Sequence, residues 1–274
     1  MIARKKTAIW IFFLIVAAGQ LFPLIWLVDF SFNSSADFYS DSILKWPSSP
    51  QWQNYVNAWV DGKFLKYLFN SLFISIVTIL LTVGLSLTLS YAFIRMQWKL
   101  RTLLYTILLL GIMIPIHATL LPNFAIFKEL GLTDSYLGLI LPYTAVSVPL
   151  GTFMLSGFLR SIPKELEESA VMDGCSIYRI VFQIIAPLLK PALVTVVVTT
   201  FLNCWNEFIM ASTFLSKDAL KTLPFSVMNF TGQYSSDYGS QFAVMVLTSI
   251  PAIIIYAVFN EQITKGVTAG AVKG

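Results

Sequence analysis

The charges of this chain are spaced so that long stretches hold almost none. Runs of 22, 28, 26, 25, 26 and 23 residues separate Lys6 from Asp29, Lys66 from Arg95, Arg101 from Lys128, Asp134 from Arg160, Lys190 from Lys217 and Asp237 from Glu261, with Glu207 the one interruption. Each run exceeds the roughly 20 apolar residues that a helix needs to cross about 30 Å of hydrocarbon. Stretches such as 72–89 are nearly continuous rather than alternating, which argues against barrel strands. A helix is also what lipid demands of a single segment's backbone. The sequence therefore predicts an all-α integral membrane fold with six transmembrane helices. Composition agrees, since 12% of the 274 residues are charged and mean hydropathy is +0.75, where a soluble domain carries about 25% charge. Disorder and a water-soluble fold are both excluded.

Lys and Arg in short loops set orientation. With the N-terminus inside, 12 of the 18 basic residues fall on the inner side, grouped before the first span, in 95–101, in 157–190 and after Asn260. Both termini are expected in the cytoplasm. Arg4, Lys5 and Lys6 precede the first apolar run as in a secretory signal, but that run continues past Ala17, Ala18 and Gly19 to Val28, so a retained anchor is expected. The net charge of +4 follows from orientation, and no nucleic-acid partner is implied, because no basic patch interleaves with base-stacking aromatics. Cys175 falls in an inner loop and Cys204 inside a span, so no disulfide is expected, and neither has metal-ligand spacing.

The outer segment 29–66 holds Phe30, Phe32, Phe38, Tyr39, Trp46, Trp52, Tyr55, Trp59 and Phe64. Such aromatics form interfacial belts, contact a docking protein or stack on a sugar ring. The inner stretch 157–190 is far longer than a turn requires and predicts its own secondary structure. Ser161 and Pro163 read as a helix start, and Glu165, Glu167 and Glu168 lie where carboxylates meet the positive end of the helix dipole. Ile162, Leu166 and Ala170 form one apolar stripe. Gly174 closes the helix in a left-handed conformation. Ser176 opens a second helix with Ile177, Ile180, Val181 and Ile184 on one face, which Pro187 and Pro191 break. A helical hairpin projecting on the cytoplasmic side is thus expected. Its carboxylates, Asp173 included, oppose lying on an anionic membrane surface, so docking in the groove of a soluble partner fits better.

At these residues the chain resembles a known family. Glu168, Ser169 and Ala170, then three residues, Gly174, nine residues, Ile184, Ala186 and Pro187 resemble the EAA loop of ATP-binding-cassette importer permeases, with Ser169 in place of alanine and Ala186 in place of leucine. Segments 137–143 (LGLILPY), 158–168 (FLRSIPKELEE), 205–208 (WNEF), 221–224 (KTLP) and 265–274 (KGVTAGAVKG) resemble the MalG-like permease subunits of carbohydrate importers.

The resemblance implies a first helix with its aromatic-rich segment over 1–66, a core five-helix permease domain over 67–260 that includes the coupling loop, and a cytoplasmic tail over 261–274. It implies a heterodimer with a second, homologous permease, two cytoplasmic ATPase subunits, an extracytoplasmic sugar-binding protein, and residence in the bacterial cytoplasmic membrane among its lipids. Coupling to the ATPase would fall on Glu165, Glu167, Glu168, Ser169, Ala170, Asp173 and Gly174. Independently, no G-x-x-x-x-G-K-[ST] motif and no constellation of nucleophile, base and orienter occurs. No cofactor is expected on this chain, ATP and Mg belonging to the partner ATPases.

Glu207 is expected within the fifth helix, flanked by Asn203, Trp205 and Asn206. A carboxylate at membrane depth faces a cavity or a partner, so these four residues are candidates for a carbohydrate path, or for hydrogen bonds to a neighbouring helix. His117 is read as a neutral, hydrogen-bonded histidine. The alternatives are an ion-coupled secondary transporter, an importer permease for a solute such as glycerol phosphate, and a membrane scaffold. The first predicts repeats and several embedded titratable groups that the sequence lacks.

Overall fold

The computed structural model describes residues 2–271 apart from 36, 40–45, 48 and 233–235. Among these the regular structure is helical, with one isolated antiparallel bridge between Thr231 and Ser236. The helices are α1 Ile2–Ser31, α2 Gln53–Val60, α3 Phe64–Ile94, α4 Arg101–Leu110, α5 Leu120–Glu129 and α6 Leu137–Leu159. They continue with α7 Glu165–Met172, α8 Ile177–Arg179, a π turn over Ile180–Ile185, α9 Ala186–Leu188, α10 Lys190–Asn206, α11 Ile209–Phe214, α12 Phe225–Met228 and α13 Tyr238–Ala271. Among the described residues four helices are long and apolar enough to cross a membrane, within α1, α3, α6 and α13, or up to six if each of two bent pairs is one span.

The bent pairs fall where the third and fifth spans are expected. The third is not one straight helix. Its halves Arg101–Met113 and Ile116–Glu129 meet at 95°. Ile114 is extended (ψ 110°), as the residue before a proline tends to be, and Pro115 brings no backbone donor. Pro142 and Pro149, by contrast, sit inside α6 without ending it. The fifth expected span stops at Asn206, where Glu207 turns extended (ψ 125°), and α10 meets the preceding Ile177–Leu188 stretch at 83°.

The chain divides into two compact units. In the unit formed by 68–222 and 252–274, α3 buries a row of small hydroxyls at helical spacing: Ser71, Ser75, Thr78, Thr82, Ser86 and Ser90. Gly151 of α6 meets this row so closely that an added Cβ would lie 2.5 Å from Ser86 Oγ and 3.2 Å from Val196 Cγ1 of α10. Without a hydrophobic drive between helices in lipid, such small residues let backbones approach and pack. Towards one end of these helices, Leu87, Tyr91, Leu155, Leu159, Leu189 and Val196 form a core that also takes in Ala170, Ile180, Val181 and Ile185. The hairpin is therefore anchored in the helix bundle by its own buried side chains.

In the unit formed by 1–67 and 223–251, the outer aromatics pack largely on one another. Phe30 lies 4.8 Å from Phe38 and 5.5 Å from Phe242, and Phe32 lies 4.8 Å from Trp52 and 5.2 Å from Tyr55, centroid to centroid. Trp46 remains exposed, and Tyr39's side chain lies outside the described residues. Asn54 Nδ2 donates to the carbonyls of Ser31 and Asn33, each at 2.9 Å. Gly239 fits beneath that amide, since a Cβ there would lie 2.5 Å from Asn54 Nδ2.

Candidate functional site

The hairpin's turn is a Schellman motif. Cys175 N–H bonds to Ala170 O at 2.9 Å and Gly174 N–H to Val171 O at 3.0 Å, with Gly174 at φ +77°. Glycine adopts this conformation at no steric cost and satisfies the last carbonyls of α7. Ser176 Oγ accepts from Arg179 N–H at 3.4 Å and opens the return limb, as its position predicts. The start of α7 differs from expectation. Ser161 Oγ donates back to Phe158 O at 2.7 Å instead of capping α7, which begins at Glu165 without a side-chain cap.

The inward face of α7 also differs. Leu166, expected on the apolar stripe with Ile162 and Ala170, is 46% exposed, while Ala170 and Glu167 are buried. Glu167 turns inward because Arg95, at the end of α3, meets it: Nε donates to Oε1 at 2.6 Å. The same guanidinium donates through Nη2 to the carbonyls of Leu159 at 3.0 Å and Ile162 at 2.6 Å. A buried charge pair persists only where its hydrogen bonds are satisfied, and this one is held from three sides. Glu165, Glu168, Ser169, Asp173 and Gly174 are exposed, beside Val171, Met172 and Tyr178, of which Met172 is 86% exposed. Five of the seven hairpin candidates thus share one exposed face and turn, while Ala170 and Glu167 are buried beneath it and Glu167 is the anchor. Arg95 gave no sign in the sequence beyond its contribution to loop charge.

A cavity of about 450 Å³ opens among the broken helices, lined among others by His117, Tyr143, Ser147, Asn203, Asn206 and Glu207. Asn203, Asn206 and Glu207 come together there as expected. Trp205 does not, being buried and stacked on Phe201 at 5.0 Å. Glu207 is not a bare carboxylate in lipid. Oε1 accepts Met210 N–H at 2.7 Å, and Oε2 accepts Ala211 N–H at 3.1 Å and the Tyr143 hydroxyl at 2.5 Å. It closes the orphan donors and positive pole at the start of α11, where a broken helix needs an acceptor. His117 lines the cavity, and among the described residues no hydrogen bond to its ring is present. On the flank of α11, Asp134 Oδ1 accepts Ser216 N–H at 2.6 Å and Lys217 N–H at 2.9 Å. These bonds, Lys217's first, hold its carboxyl below the usual carboxylate range.

Residues 81–269 match the family described as the binding-protein-dependent transport system inner membrane component. The chain belongs to that family. As an inner membrane component it is the membrane part of a transport system, and the hairpin, the cavity and Arg95 all lie within the matched residues. It is similar to the sulfoquinovosyl glycerol transport system permease protein SmoH of Agrobacterium fabrum, at 34% identity over 95% of this chain and 91% of that one. It is similar to the trehalose transport system permease protein SugB of Mycobacterium tuberculosis, at 33% identity over 99% of each. Its fold is that of a chain in a bacterial ABC transporter that imports alginate, with a TM-score of 0.82, 21% identity, and 94% of this chain and 96% of that one covered.

Proposed function

We propose that this chain is one of two different permease subunits of an ATP-driven importer, and that it passes carbohydrate handed over by an extracytoplasmic binding protein. The observation that carries the sugar assignment is full-length similarity to permeases named for trehalose and for sulfoquinovosyl glycerol. Two cytoplasmic ATPases supply ATP and Mg chemistry. The basic loops support both termini lying in the cytoplasm, an orientation that turns the hairpin towards those ATPases.

In this reading Glu165, Glu168, Ser169, Asp173 and Gly174, with Val171 and Met172, form the surface that an ATPase cleft receives. Glu167 and Ala170 transmit the resulting displacement, because both are seated in the bundle. ATP-driven closure of the ATPases moves the hairpin, and alternating access follows as rigid bodies shift. Asn203, Asn206 and Glu207 offer amides and a carboxylate to sugar hydroxyls along the path.

The test is reconstitution of the chain with its partner permease, ATPases and binding protein in proteoliposomes, followed by uptake of a labelled panel of sugars and glycerol phosphate. Accumulation of a sugar that requires both binding protein and ATP is expected. Accumulation driven by an ion gradient through the chain alone would refute the proposal, and preference for glycerol phosphate would refute the sugar assignment.

A further inference from the structure

We propose that a basic pocket at the ends of α3, α4 and α6 binds the phosphate of an anionic phospholipid headgroup. The pocket measures about 380 Å³, and its charged lining is Arg95, Arg101, Arg160 and Lys164, with no carboxylate. That volume lies within the about 300–1,000 Å³ usual for ligand sites.

The four cations are not equivalent. Arg95 is neutralised by Glu167 at 2.6 Å. Arg101 gives only Nη1 to the Met96 carbonyl, at 3.2 Å, and keeps its charge. Arg160 and Lys164 make no ion pair among the described residues. Three uncompensated positive charges therefore converge on one cavity, with the hydroxyls of Thr102 and Tyr105 beside them. A phosphate oxyanion is the group whose several acceptors and delocalised charge such a donor set takes.

Position decides between a free phosphate and a lipid. The apolar runs of α3, α4 and α6 all stop here, at Ile94, Arg101 and Leu159, so the pocket lies where hydrocarbon gives way to headgroups. One turn further into α4, Leu103, Leu104 and Ile107 are exposed and offer an apolar track for an acyl chain leaving the pocket. Trp98, partly exposed and with its ring centroid 5.8 Å from that of Phe93 in the lining, is the amphipathic ring that membrane interfaces favour. Basic pockets between helix ends are sites for phosphorylated headgroups. This inference does not depend on what the chain transports.

The experiment uses the full chain purified in non-ionic detergent, with native mass spectrometry after adding phosphatidylglycerol or phosphatidylcholine. Preferential retention of phosphatidylglycerol is expected. The pair Arg160→Gln with Lys164→Gln should weaken that retention roughly thirtyfold, and Lys164→Gln alone roughly fivefold. The charge-conserving pair Arg160→Lys with Lys164→Arg should retain it. Equal retention of the two lipids overturns the proposal, as does unchanged retention in Lys164→Gln. Displacement of the lipid by millimolar inorganic phosphate would assign the pocket to a free ion and overturn the lipid reading.

Discussion

Arg95 Nε and Glu167 Oε1 meet at 2.6 Å across 72 residues of sequence, joining the end of α3 to the hairpin helix α7. Their side chains are 7% and 10% exposed, so water does little to screen them. Removing one partner strands the other charge in a buried site, at a cost of about 3–5 kcal/mol. Arg95→Met should therefore lower the thermal unfolding temperature in detergent more than the pair Arg95→Met with Glu167→Met does. A single variant as stable as the double would show that the ion pair anchors nothing.

Gly174 separates conformational from steric effects. A Cβ there would meet nothing within 4 Å, yet φ is +77°. Gly174→Val should thus strain the turn by about 1–2 kcal/mol without any clash, while Gly174→Asn should be tolerated, since asparagine enters the left-handed region. In reconstituted complexes the valine variant should hydrolyse ATP with reduced sugar uptake per ATP. Wild-type uptake per ATP in that variant would contradict a lever role for the turn.

The opposite test applies at Gly151, where space and not φ is limiting. Gly151→Ala should destabilise the bundle by about 1–3 kcal/mol through overpacking. Adding Ser86→Ala removes the oxygen 2.5 Å away and leaves a carbon at 3.1 Å, so part of the loss should return. Chemical denaturation of the single and double variants in detergent measures both.

Glu207 holds three donors, and the replacements divide its roles. Glu207→Ala leaves Met210 N–H, Ala211 N–H and the Tyr143 hydroxyl without their acceptor, a loss of about 1–3 kcal/mol for each buried group left unmade. Glu207→Gln keeps one acceptor oxygen but sets its NH2 against a backbone N–H that the second carboxylate oxygen accepts, so it should lose less stability than the alanine variant without matching the wild type. If that folded variant also transports normally, the negative charge has no part in the sugar path proposed above.

Asp134 makes a pH-dependent clasp. Its carboxyl is held below the usual range by the amides of Lys217 and Ser216. Its support is thus complete above the unfolded value of about 3.9 and fades as pH falls through the lower folded value. Hydrogen exchange at Ser216 and Lys217 should be slower in the wild type than in Asp134→Asn near neutral pH, and the two should converge in strong acid. Parallel profiles at all pH values would exclude the clasp.

Much of this was legible in the residues. Charge spacing located the apolar segments, and Gly174 and Ser176 marked the turn and the limb after it, because each acts through local backbone chemistry. The rest depends on distant partners. Pro115 breaks its helix while Pro142 and Pro149 do not, a difference set by tertiary surroundings and not by proline itself. Periodicity put Leu166 inward, but a guanidinium from another helix draws in its neighbour Glu167. Glu207 was conspicuous as a charge, yet its work as a helix cap followed only from the break that it closes.

The π turn has a consequence for how the hairpin is joined to α10. Ile180 and Ile185 are both buried although five residues apart, whereas an α-helix would turn the second away by about 140°. A π turn is an α-helix carrying one extra residue. Deleting Gln183 would return the limb to ordinary winding and swing Leu189 and the start of α10 about the limb's axis by roughly 100°, a little over a quarter of a revolution, with Gly174 and α7 unmoved. The limb is thus a phase setter, fixing the direction in which α10 departs from the hairpin at the 83° bend.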